Sequence, residues 1–157
     1  MFPEQHVEST RRIPRSVAAA FDALVERVSG TVRQLYGPLT AFEHGSCRDP
    51  NSRRSACLAH AHIHLVPGWY RLERHLRSVG SVVSAAAWVP TAATWDSGYL
   101  FLQEPGALPL YGPDPGISQF FRRRIAEHLE IPDEWDYLLY PRLDNVHETV
   151  RRLDSRL

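Results

Sequence analysis

Apolar residues at Val17, Phe21, Leu24, Val28, Val32 and Leu35 recur at steps of three and four, the spacing of a single helical stripe. The spacing predicts a helix over Arg15–Tyr36, stopped by Gly37-Pro38. Pro14 falls near the first turn, where proline is tolerated. Leu39 to His44 reads as a short strand ended by Gly45, and Ser55 to Val66 as a second strand ended by Pro67-Gly68. The polar, basic stretch from Ser46 to Arg54 joins them, so the two strands are expected to form an antiparallel hairpin with a long tip.

Further along, Trp69, Leu72, Leu76 and Val79 make a weak helical stripe. Ser81 to Trp95 is ambiguous, since Val82-Val83 favours a strand and Ala85-Ala86-Ala87 a helix. Tyr99–Gln103 and Leu108–Tyr111 read as strands of a second hairpin around a turn with Gly and Pro. Asp114-Pro115-Gly116 is expected to open a helix to about Leu129, with Ile117, Phe120, Phe121, Ile125 and Leu129 inside. Trp135 to Tyr140 is aromatic packing material, and Leu143 to Leu157 a last helix burying Val146, Val150 and Leu153. The expected fold is α+β, an antiparallel sheet with helices against it.

Composition narrows the function more than the fold. With 157 residues, 43% apolar and 23% charged, the chain matches one globular domain with a real core. No run approaches the ~20 apolar residues that cross a bilayer, and Met1 to His6 has no basic-then-apolar signal pattern. A soluble, cytoplasmic protein is expected, without a membrane partner. Eighteen basic against eighteen acidic residues disfavour a general nucleic-acid binder. Every fixed cation is arginine, whose planar guanidinium suits phosphate or carboxylate. The Arg- and Ala-rich composition matches a high-GC, bacterial coding bias. Cys47 and Cys57 make neither a disulfide framework nor a CxxC.

The chemistry concentrates in Cys57-Leu-Ala-His60-Ala-His62-Ile-His64-Leu-Val-Pro67. Side chains alternate along a strand, so His60, His62 and His64 share one face, with Ala59, Ala61, Ile63 and Leu65 on the other. A row of imidazoles has three readings. A neutral imidazole is a nucleophile near pH 7 if its other nitrogen is held. Histidines at i and i+2 on a strand also suit zinc. A polar strand face can simply be rich in histidine. A metal site needs a further ligand, and Glu73 and Asp96 downstream have no ligand spacing. Phosphoryl transfer fits without metal, because imidazoles can supply both an in-line nucleophile and donors to the phosphate oxygens.

The motif His60-Ala-His62-Ile-His64-Leu-Val resembles His-φ-His-φ-His-φ-φ, φ being apolar, the signature of the histidine triad superfamily. Glu43-His44-Gly45 is similar to the end of that family's preceding strand, the long helix fits before it, and Pro3-Glu4-Gln5-His6-Val7 resembles its Pro-x-x-His-φ segment. The resemblance runs over about residues 3–67. It implies a single domain over 1–157, with a core over 1–68 and an extension over 69–157 that completes the sheet of a member with a shortened N-terminus. Tyr99–Gln103 and Leu108–Tyr111 are the strands for that role.

The family cleaves or transfers nucleoside monophosphates held in phosphoanhydride or phosphoramidate linkages. By resemblance His62 is the nucleophile, His60 orients it, and His64 contacts phosphate oxygens. His6 matches a histidine near the leaving group. Cys57 stands where the family often has Ser or Thr against phosphate, Ser55 can substitute, and Gly45 can let a phosphate approach the backbone. In Ile117-Ser-Gln119-Phe-Phe-Arg122-Arg123 a helix start with Ser, Gln and Arg can hold an anion, so Gln119 joins the candidates. The resemblance implies a small nucleotide as partner, no cofactor and no metal, and a homodimer as the common assembly. Two other functions stay open: a metal-dependent hydrolase with the same imidazoles as ligands, and a module that binds nucleotide without turning it over.

Overall fold

The computed structural model describes residues 7, 9–45, 61–85 and 98–154. The fold is α+β; the described residues form one five-stranded antiparallel sheet and four α-helices. The elements are α1 (Arg15–Tyr36), β1 (Leu39–Gly45), β2 (His64–Pro67), α2 (Glu73–Ser78), β3 (Val83–Ser84), β4 (Tyr99–Gln103), β5 (Leu110–Pro113), α3 (Phe120–His128) and α4 (Leu143–Asp154). The sheet order is β2-β1-β4-β5-β3. Among the described residues no helix is long and apolar enough to cross a membrane.

Strands β1 and β2 pair antiparallel, as do β4 and β5, and the two pairs join through β1 and β4. The strand expected over Ser55 to Val66 is a strand only from His64 to Pro67: residues 61–63 lie outside it, and 55–60 outside the described residues. Phe42 pairs with His64 on one side and with Leu102 on the other. Strand alternation sorts the core into two layers. Ala41, Ile63, Tyr99, Phe101 and Tyr111 face α1, where Val25 meets them. Phe42, Leu100, Leu102 and Leu110 face the other way, against Leu72 and Leu76 around α2 and Phe120 and Phe121 of α3. Glu104 fastens α2 to the sheet: its buried carboxylate accepts from the Leu72 and Glu73 amides at 2.7 and 3.3 Å.

Some faces differ from expectation. Helix α1 has the expected ends, but its contact stripe is Val25, Ser29 and Val32, and Val17 and Leu24 are exposed. The buried Val25 and Ser29 stand one position beyond the expected Leu24 and Val28, so apolar spacing alone misplaces part of the buried face. Helix α3 begins at Phe120 rather than near Asp114. Asp114 accepts instead from the Gly116 amide at 2.8 Å and pairs with His44, and Gln119 is left-handed with φ 53°. Helix α4 buries none of its residues, leaving Val146 and Val150 49% and 52% exposed. Leu108 is also exposed, and the last strand starts at Leu110. The loop 46–54, the ambiguous stretch beyond Ala85 and residues 155–157 lie outside the described residues.

Gly45 closes β1 for a packing reason. A Cβ there would stand 2.2 Å from Cε1 of the buried Tyr99 ring. Gly45→Ala is therefore expected to destabilise the fold by about 1–3 kcal/mol, the scale of overpacking a core. Urea unfolding of the variant measures it, and an unchanged midpoint would show that the Tyr99 ring gives way freely.

Candidate active site at the histidine face

Strand β2 lies at the sheet edge and begins at His64; Ala61, His62 and Ile63 lead into it outside any strand. Ala61 and Ile63 are 1% and 2% exposed, and Ile63 packs into the α1 layer. His62 and His64 therefore emerge on the opposite face, both half-buried. Their rings approach edge to face, with centroids 4.7 Å apart. This is closer than the ~6.5–7 Å that strand rise sets for alternate side chains, so the rings lean together. His64 stacks on Phe42 across the hairpin, at 4.6 Å and 21° between planes.

Burial, then the neighbouring His62 and the Arg122 guanidinium, push the His64 pKa down to about 3. His64 is thus a neutral imidazole at physiological pH, able to donate one N–H and accept at the other nitrogen. The sign of the linkage follows. A depressed folded pKa means this site's stability is full above the unfolded value, ~6.5, and is lost as pH falls from there toward about 3. An NMR titration is expected to show His64 unchanged between pH 5 and 8. A midpoint near 6.5 would contradict the buried, stacked environment.

Val7 reaches the chain just ahead of this strand. The Ala61 amide donates to the Val7 carbonyl at 2.6 Å, between the positions of His60 and His62. His60 and His6 lie outside the described residues, as do Ser55 and Cys57. Gly45 is described, and the Tyr99 ring fills the space a side chain would take. Gln119 directly precedes α3, and its buried Oε1 has no hydrogen-bond partner among the described residues. It does not line the cavity at His64. Among the described residues no three His, Cys, Asp or Glu side chains gather where they could hold a metal.

Three features escaped the sequence reading. The first is a cavity of about 390 Å³ against the histidine face, bounded by Phe42, His64 and Val66 on the sheet, Arg122 and Ile125 on α3, and Trp135 beyond it. Arg122 was visible only as part of the Ser-Gln-φ-φ-Arg-Arg pattern, and nothing local aims it at His64. The second is a pair between His44 Nε2 and Asp114 Oδ1 at 3.0 Å, both side chains largely buried. His44 shares the Phe42 face by alternation, two residues along β1.

The third lies on the α1 face beneath. Buried Glu43 accepts from the Thr10 amide at 2.9 Å, and from the Thr10 and Tyr99 hydroxyls at 2.5 Å each. These bonds tie the 3₁₀ turn Thr10–Arg12, just after the N-terminal segment, to the strand behind the site. Burial raises the Glu43 pKa, and its hydrogen bonds only partly oppose this. Burial beside Glu43 also holds the Tyr99 phenol well above its ordinary value. The three residues are 33 to 89 positions apart, too distant for any sequence pattern to join them. In comparisons with known proteins, no family model matches this chain and no curated protein matches its sequence.

Proposed function

We propose that this protein cleaves a nucleoside-monophosphate linkage, a phosphoanhydride or a phosphoramidate, through a histidine nucleophile, as a hydrolase or nucleotidyl transferase of the histidine triad kind acting in the cytoplasm. The observation that carries the reading is the pair His62 and His64, side by side on one face while Ala61 and Ile63, the residues before and between them, are buried. A His62 nitrogen attacks the α-phosphorus, and the bond to the leaving group breaks with its electron pair. Water or another acceptor then attacks the phosphorus of the nucleotidyl-imidazole, which releases the monophosphate and restores His62. His64, neutral, donates its N–H to a phosphate oxygen, and His60 holds the second nitrogen of His62. Such donors, fixed before the reaction, stabilise the charge that develops on the oxygens.

Product formation tests it. A diadenosine polyphosphate, an adenosine phosphoramidate, an ADP-sugar and their guanosine and cytidine counterparts are incubated with the protein, with and without chelator. Nucleoside monophosphate is expected in both conditions. Release abolished by chelator would move the imidazoles to metal ligands. No release from folded protein would leave a nucleotide-binding module.

A further inference from the structure

We infer that the cavity between the histidine face and the C-terminal segment seats the nucleoside 5′-monophosphate moiety, with its phosphate on Arg122 and its base between aromatic side chains. The inference rests on the proposed function and names the substrate subsite of that same face. Its volume, about 390 Å³, falls within the ~300–1,000 Å³ of small-molecule sites. One wall is the sheet, where Phe42 carries the stacked His64 ring. The other is the segment after α3, which contributes Trp135, Tyr140 and Asn145. Flat aromatic walls with a few polar groups suit a flat heterocycle: the rings take its faces, and an amide such as Asn145 can bond its edge.

The charge distribution orients the ligand. Arg122 is half-buried and lines the cavity together with His64. Its Nε donates to the Trp135 carbonyl at 3.1 Å, and its guanidinium lies 5.0 Å over the Tyr137 ring. It forms no ion pair with a carboxylate of the described residues. The cavity's other charges, Arg142 and Glu134, pair with each other. Arg122 is therefore a held guanidinium whose terminal N–H groups are available to an anion, beside the imidazole that donates to the same phosphate. A guanidinium in that position favours a doubly charged phosphate group. The extension after β2 thus supplies the nucleoside seat as well as sheet strands.

Calorimetric titration with AMP, GMP, CMP, adenosine and inorganic phosphate tests this on the full chain. At least one monophosphate is expected to bind more tightly than either adenosine or phosphate alone. Arg122→Gln should weaken it about tenfold or more, the worth of a charge-assisted hydrogen bond. That variant also loses the tie to Trp135, so a second is needed. Leu129→Trp leaves the tie intact and widens a residue that lines the cavity but is 51% exposed, so the fold tolerates it. It should remove monophosphate binding. His62→Ala, outside the cavity lining, should keep it. No monophosphate binding, or binding indifferent to Leu129→Trp, overturns the seat. Turnover indifferent to Leu129→Trp overturns it while leaving the histidine nucleophile standing. Cavity-dependent binding without turnover keeps the seat and removes the enzyme.

Discussion

Alanine at His62 is expected to lower nucleotide release about a thousandfold or more, the scale on which an enzyme loses its nucleophile, with the fold intact. The structure separates the two effects. The chain at this point is anchored by the buried Ala61 and Ile63, the latter in the α1 layer, while the His62 side chain lies on the other face, against His64. Truncating it opens no core cavity, so the melting temperature should move little. His64→Ala differs: the imidazole stacks on Phe42, so that variant should lose stability together with activity. His62→Gly gives a sharper check, because added free imidazole can occupy the vacated space and act as the nucleophile. Partial recovery with imidazole, and none in His64→Ala, identifies His62 as the attacking group. His62→Ala with turnover near that of the native protein would move the chemistry elsewhere.

Glu43→Leu should cost the fold about 3 kcal/mol. The leucine fills similar space but leaves a backbone N–H and two hydroxyls without their acceptor, and each stranded buried donor costs ~1–3 kcal/mol. The hydroxyls of Thr10 and Tyr99 lie 3.1 Å apart and can partly satisfy each other, which holds the total down. For a chain of this length about 3 kcal/mol corresponds to a melting temperature lower by roughly 6–12 °C. Glu43→Gln should be much milder. Its amide oxygen accepts from the Thr10 N–H, and either hydroxyl can turn to accept from its NH₂.

The pH dependence of that pair of variants tests the state of the buried carboxyl. Burial holds its folded pKa above the ordinary value. A raised carboxylate pKa means its contribution to stability is full below the unfolded value, ~4.3, and is lost as pH rises through the folded pKa. Glutamine has no such slope. Urea unfolding from pH 4 to 8 should show Glu43→Gln gaining on the native protein as pH rises. A difference constant across that range would mean the carboxyl is ionised in the fold without penalty.

Local and periodic features were legible along the chain. Helix α1 runs over the expected Arg15–Tyr36 because stripe, proline entry and Gly37-Pro38 stop are all local signals. Strand β4 covers Tyr99–Gln103 as expected, and half-buried His62 and His64 alternate with buried Ala61 and Ile63 on the two-residue period that the sequence showed. What failed were expectations about contact. Apolar spacing marks a face able to bury but not whether anything covers it, hence the exposed Val17, Val146 and Val150. The start of α3 moved because Asp114, a plausible opener by itself, is engaged by His44 seventy residues earlier.

The chemistry divides in the same way. The two-residue spacing is enough to set His62 and His64 together, since residues i and i+2 of extended chain share a face. Arg122 and Trp135 reach Phe42 and His64 only once α3 packs on the sheet and the chain after it turns back over the face. Glu43, Thr10 and Tyr99 meet only when β1, β4 and the N-terminal turn are assembled. Short-range periodicity writes a candidate nucleophile into the chain itself. The surroundings that make His64 neutral, place a guanidinium beside it and leave a cavity against it come from burial and long-range packing, which no stretch of residues carries alone.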